Sequence, residues 1–288
     1  MATHNQARMV GFLLDDPKIV NEGVEGAEKA LFRIRTVRRN VDNYRGPAYQ
    51  DIMVLYDGTD FMKKIKALKQ FDVVDISGVF NILTVNKKSR CPVCGEVNIK
   101  YRGSSTFIYP ISLIKVNSTK EAYEHDPELP FRILKKHFLE TSNRVLIVGT
   151  VVSEPEMLGN AKNPCCRYRL GVDRKYYIPS QGDITSDYPW VYSFGQQAES
   201  DAIHLKKAGD GDKGTLIQVD CFMRTQQVKA KMTCESCGET YVYPDVVTEF
   251  IPYSVEYLNN YLTDEEIAIG AADAARLQRA QHIMEGNW

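Results

Sequence analysis

Two short motifs carry the residues best suited to chemistry: Cys91-Pro92-Val93-Cys94-Gly95 and Cys234-Glu235-Ser236-Cys237-Gly238. A C-x-x-C followed by glycine sets two thiolates on one tight turn, which is half of the tetrahedral ligand set a structural zinc ion takes. Two such pairs supply the whole set, so Zn2+ held by Cys91, Cys94, Cys234 and Cys237 is the expected cofactor. Two arrangements stay open: one site within the chain, or two sites each completed by a second chain. A redox C-x-x-C opens a helix in a βαβ setting, whereas the flanks here are β-rich. Cys165, Cys166 and Cys221 have no metal spacing and read as small buried hydrophobes.

The elements that must position these motifs come from an internal repeat, the first thing to look for in a chain of this length. Gly11 and Pro17 match Gly149 and Pro155, residues 32–38 lie against 168–174, and residues 49–55 lie against 188–194. Residues 72–76 lie against 215–219, the cysteine motifs match each other, and Thr106, Pro110 and Ser112 match Thr248, Pro252 and Ser254. The offset stays between about 136 and 143 residues through these blocks in unbroken order, which implies duplication. The copies are expected over 7–117 and 143–262, with a linker at 118–142 carrying a short helix near 131–139. A C-terminal helix is expected over 263–288, where Asp264, Glu265 and Glu266 suit a helix start.

Within a copy, strands are expected over 9–14, 30–39, 51–56, 73–83 and 107–115, where β-branched and aromatic residues alternate between turn signals. A helix is expected over 59–69, with Thr59 as its cap and Phe61, Ile65 and Leu68 on one face, and its counterpart near 198–207. A helix between the third and fourth of five strands is the order of an OB-fold. The fold class expected is therefore mainly β: two tandem OB barrels, each with a zinc knuckle, plus a C-terminal helix.

The 288 residues are 43% hydrophobic and 25% charged, ordinary for a globular chain, with a formal net charge of −1. An anionic partner must then be met by a local basic surface. No apolar run approaches the roughly 20 residues a membrane crossing needs, so no membrane partner is expected. Seven cysteines without an apolar leader argue for a reducing compartment, and a cytoplasmic location is expected.

OB-folds bind single strands by stacking bases on aromatic rings while cations track the phosphates. In the first copy Arg33, Arg35 and Arg39 alternate with Phe32 and Ile34. Arg38 opens a loop holding Tyr44 and Arg45, and Tyr49 follows. The second copy offers Arg167 and Arg169, then Arg174, Lys175, Tyr176 and Tyr177, then Tyr188, Trp190 and Tyr192. These sixteen residues form the expected nucleic-acid surface. Lys63, Lys64, Lys66 and Lys69 read instead as a solvated helix face.

The run 143–149 ending in Gly149, the turn Glu154-Pro155-Glu156 and the basic strand 168–174 resemble the bacterial single-stranded-DNA-binding protein pattern. The resemblance covers about half of each copy. It implies an OB-fold that coats single-stranded DNA without sequence preference. The cysteine knuckles depart from the ordinary bacterial pattern, although OB-folds with inserted zinc ribbons occur in replicative helicases and DNA ligases. The acidic tip ending in Phe is missing, since the chain ends at Trp288, so partner recruitment and a tetrameric state are not carried over.

The five histidines are scattered, and no triad, Walker A loop or Rossmann fingerprint is present. A binding protein rather than an enzyme is expected, acting in replication, recombination or DNA transfer. Two other roles share the same features: an assembly subunit of a replication or conjugation complex that self-associates or binds its partners, and a single-stranded RNA binder.

Overall fold

The computed structural model describes residues 4–284 apart from 25, 118–125, 161, 179–180, 210–212 and 260–263. The first part of the expected linker (118–125), the end of the second expected copy (260–262) and both ends of the expected tail helix (263 and 285–288) lie outside the described residues.

The first half comprises β1 (His4–Leu13), β2 (Lys18–Val20), β3 (Lys29–Val37), β4 (Tyr49–Tyr56), α1 (Met62–Lys66), β5 (Val73–Arg90) and β6 (Val97–Asn117). Helix α2 (Leu129–His137) follows. The second half comprises β7 (Asn143–Val151), β8 (Glu156–Asn160), β9 (Asn163–Asp173), β10 (Ser186–Asp187), β11 (Trp190–Phe194), α3 (Gln196–His204), β12 (Leu216–Thr233) and β13 (Thr240–Asn259). Helix α4 (Asp264–Met284) ends the described chain and sets Gly270 beside Ile203 of α3.

Strand alternation drives each closure. In β4, Ile52, Val54 and Tyr56 point into a core while Asp51, Met53 and Leu55 face out. The strands run β1-β5-β6-β4-β3 and return to β1, with β4 and β6 parallel at Val54 and Ile108. The second half repeats this as β7-β12-β13-β11-β9 and back to β7, parallel at Val191 and Phe250. Both are five-stranded OB barrels. β1 and β7 pair antiparallel with Ala7 opposite Val145, so one sheet runs through both barrels. Their cores merge, and Phe80 meets Phe250 with ring centroids 4.8 Å apart.

The duplication holds at the level of register. A Cβ on Gly11 would lie 2.6 Å from the Arg35 carbonyl oxygen, and one on Gly149 would lie 2.9 Å from that of Gly171. Both glycines sit where a barrel closes on itself. Pro110 opposes Gly78 and Pro252 opposes Cys221, each beside a register shift that tolerates proline within a strand. Asn5 bonds both backbone groups of Phe80, donating to its oxygen (2.8 Å) and accepting from its nitrogen (3.0 Å). Asn143 does the same to Met223, at 2.9 Å each way.

Three expectations change. In the third strands, Val54 corresponds to Val191, so the expected match of 49–55 to 188–194 slips by two residues and Asp51 corresponds to Tyr188. A slip of two leaves every side chain on its face, which is why the pattern did not reveal it. The first helix spans only Met62–Lys66, with Phe61 as N-cap and no side-chain cap; the Thr59 hydroxyl turns to Asp60 instead. The fourth and fifth strands run well past 83 and begin well before 107, forming hairpin arms that leave the barrels. Residues 84–90 lack apolar alternation because only the other arm covers them.

Candidate metal centre and nucleic-acid faces

The arms β5–β6 and β12–β13 end in the two cysteine turns, which have the same backbone plan. Cys91 N–H donates to Glu96 O (2.8 Å) and Gly95 N–H to Cys91 O (3.0 Å); Cys234 N–H donates to Glu239 O (2.8 Å) and Gly238 N–H to Cys234 O (2.9 Å). Gly95 and Gly238 take φ of 76° and 73°, a left-handed conformation that favours glycine. The arms bring both turns together within one chain. Cys91 Sγ lies 3.8 Å from Cys237 Sγ, Cys94 Sγ lies 3.5 Å from Cys234 Sγ, and all four sulfurs fall within 4.8 Å of one another.

Tetrahedral zinc with Zn–S bonds of roughly 2.3 Å separates its sulfurs by roughly 3.8 Å, so the four thiols fit such an ion. Cys91 and Cys234 are buried while Cys94 and Cys237 face solvent, leaving a path for a metal. Asn98, buried on the first arm, donates to Cys234 Sγ (3.5 Å) and accepts from Glu235 N–H (3.0 Å) on the second. The Cys237 backbone amide, with help from Asn98, lowers the Cys234 thiol to about 6. Behind the turns, Lys87 of the first arm reaches Asp245 of the second at 2.5 Å. Cys165, Cys166 and Cys221 are buried elsewhere, and burial pushes the Cys165 thiol up to about 11 and the other two up as well. That environment suits inert packing.

The sixteen expected contact residues divide into groups. On the outer face of β9–β11, the Arg167 guanidinium lies 5.0 Å from the Trp190 ring centre. Arg169 lies 5.2 Å from that of Tyr188 and 5.7 Å from that of Trp190, within cation–π range. Tyr192, half-buried, stands opposite Arg167, which also pairs with Glu156. Tyr188 is exposed. On the outer face of β3–β4, Arg33 pairs with Asp15, and Arg35 grips Asp51 through two bonds of 2.6 and 2.8 Å. Tyr49 meets Phe131 of α2 edge-on at 4.6 Å.

The rest belong to two loops that cross between barrels. The loop after β3 lays Tyr44 among Phe194 and Phe222 of the second barrel, where it is only 8% exposed. Arg38, 7% exposed, donates to the carbonyls of Arg39, Gly46 and Pro47 and covers the Tyr44 ring at 4.6 Å. Arg39 covers Tyr253 of the second barrel at 3.9 Å and pairs with Glu140 and Asp220. Arg45 is exposed. The loop after β9 crosses the other way. Arg174 makes two 2.6 Å bonds to buried Asp187, whose other partner is the Ile82 N–H of the first arm (2.8 Å). Tyr176 lies 6.0 Å from Tyr109, while Lys175 and Tyr177 face solvent. Arg38, Tyr44 and Arg174 are thus taken up in joining the barrels. The sequence pattern could not show this, because a loop's contacts with the other copy leave no periodicity.

The arms also hold cations that the sequence reading passed over. Lys88, Arg90, Arg102, Lys229 and Lys231 are exposed, and none forms an ion pair among the described residues; Tyr101 beside them is 65% exposed. Their signal was present as cations two residues apart: 88 and 90, 100 and 102, 229 and 231.

No family model matches the chain. In sequence it is similar to single-stranded DNA-binding protein 2 of Clostridium acetobutylicum, 28% identical over 91 residues, 31% of this chain and 62% of that relative's length. In fold it is similar to the wild-type single-stranded DNA binding protein from Thermus aquaticus, with a TM-score of 0.60 at 10% identity, covering 92% of this chain and 97% of the other. A deletion mutant of that protein gives 0.57 at 11% identity, covering 91% and 98%. The chain therefore shares the architecture of single-stranded-DNA-binding proteins across nearly its whole length, and part of their sequence.

Proposed function

We propose that this protein binds single-stranded DNA without strong sequence preference through its OB barrels, with the tips of their two arms clasped by a zinc ion at Cys91, Cys94, Cys234 and Cys237. The observation that carries the reading is the outer face of β9–β11, where Arg169 lies over the exposed Tyr188 ring and Arg167 over the half-buried Trp190 ring. Rings stack bases of any identity and guanidinium groups meet phosphates, which gives affinity without base readout. The similar clostridial and Thermus proteins are named for the same ligand. Replication, recombination or DNA transfer in the cytoplasm is the setting such binding serves, and seven free thiols suit a reducing compartment.

Zinc would supply the bonding that holds the two arm tips together. The chain's own residues present the thiols, orient them through Asn98 and tie the arms behind through Lys87 and Asp245. A labelled oligo-dT titrated with the full chain at low and high salt tests the function: binding should be tight, weaken steeply with salt and be poorly competed by duplex. RNA of equal length as competitor separates the two single-stranded ligands. Absence of binding to any single strand at low salt overturns the reading. Metal analysis with the mass in solution tests the ion, expected at one zinc per chain in a monomer.

A further inference from the structure

Resting on that reading, we propose that the two barrels are unequal binders: the β9–β11 face of the second holds the strand, and the matching β3–β4 face of the first is a silenced copy. The register makes the comparison residue by residue. Val54 and Val191 mark the same position in their barrels, as do Phe32 and Tyr168. Arg33 therefore stands where Arg169 stands, opposite Met53 in one barrel and Trp190 in the other. One step along, Asp51 takes the place of Tyr188; one step back, Leu55 takes that of Tyr192. All three rings of the second face are absent from the first.

The charges diverge as well. Arg169 has no carboxylate paired with it among the described residues, and it keeps its guanidinium over Tyr188 and Trp190. Arg167 is the one cation of that face with an acidic partner, Glu156. On the first face both arginines are matched, Arg33 by Asp15 and Arg35 by Asp51, so an approaching phosphate meets two carboxylates with the two guanidinium groups. The remaining ring, Tyr49, is covered by Phe131 of α2 and by the Lys135 ammonium 5.3 Å from its centre. The helix between the barrels thus lies against the end of the first face, where a base would stack.

The test uses the full chain and a dye-labelled oligo-dT read by fluorescence anisotropy, with zinc content and circular dichroism confirming that each variant folds. Trp190→Ala and Arg169→Ala should each weaken binding by between about 5- and 150-fold, the range for a lost base stack. Met53→Ala and Arg33→Ala should change it by less than about twofold. The double variant Asp51→Asn with Met53→Trp should tighten binding by about threefold or more, since it removes a carboxylate and restores a ring. Equal losses from Arg33→Ala and Arg169→Ala, or no gain from the double variant, overturn the inequality while wild-type binding leaves the proposed function standing. A wild-type chain that binds no single strand removes that function, and the inequality with it.

Discussion

In the first barrel Asn5 clamps Phe80 and Gly11 lets the ring close against Arg35; in the second, Asn143 clamps Met223 and Gly149 closes against Gly171. The cysteine turns are superposable in their hydrogen bonds. The outer faces, by contrast, share one arginine position and little else: Met53, Asp51 and Leu55 on one side, Trp190, Tyr188 and Tyr192 on the other. The difference is instructive because both sets of residues lie on the same strands. Inward positions must stay apolar to fill a closed barrel, and the two closure glycines admit no side chain at all, while outward positions are free to diverge.

The comparison can be broken most forcefully at the arm tips. Cys91→Ser and Cys234→Ser should behave alike, each losing the metal and on the order of 3 kcal/mol or more of stability, because a structural metal's binding energy is folding energy. Metal analysis and chemical denaturation read both, and a loss from only one variant would show the two turns to be unequal after all. Metal retention should also fall as pH drops, since protons compete for the thiolates.

The crossing loops come next, since here the halves use different chemistry for the same task. Asp187→Ala strips the buried Arg174 of its carboxylate partner and orphans the Ile82 amide, and should cost about 3–5 kcal/mol. Arg38→Ala removes donors from three backbone carbonyls and should cost about 1–3 kcal/mol. Denaturant midpoints give both values, and equal costs would contradict the distinction.

A smaller effect is expected behind the cysteine turns. Burial opposes the charge of Asp245, but Lys87 outweighs it and holds the carboxyl below the usual carboxylate range. Its stabilising effect is therefore present above the unfolded-state value near 3.9 and is lost as pH falls through the lower folded-state value. Asp245→Asn should cost about 1–2 kcal/mol at neutral pH, and the cost should shrink on acidification; a cost independent of pH would refute the ionic tie. The smallest change belongs to Asp15→Asn, whose pair with Arg33 is exposed on both sides, at under about 1 kcal/mol in stability.

Much of this architecture was legible without coordinates. Alternating apolar residues gave the barrel strands, and the ordered matches gave the duplication, because inward positions of a closed barrel must be apolar in both copies. That the four cysteines could form one cluster was legible for a related reason: a metal site would need particular side chains at particular spacing. The arms were read too short, since none of residues 84–90 is buried and nothing there demands apolar alternation. The choice of one intrachain cluster over two shared sites was left open until β1–β7 pairing set the barrels side by side.

What the sequence by itself determined was therefore composition-dependent: which residues face a core, which thiols can take a metal, and that the chain is two copies of one plan. Tertiary structure alone decided which cations and rings are spent. Arg38, Tyr44 and Arg174 resemble binding residues by type, yet each is buried against the opposite barrel. The two-residue slip between the third strands, invisible to a period of two, set Asp51 in the place of Tyr188. Side-chain type follows from sequence, but partners as far as 214 residues apart are chosen by the packing of one copy on the other.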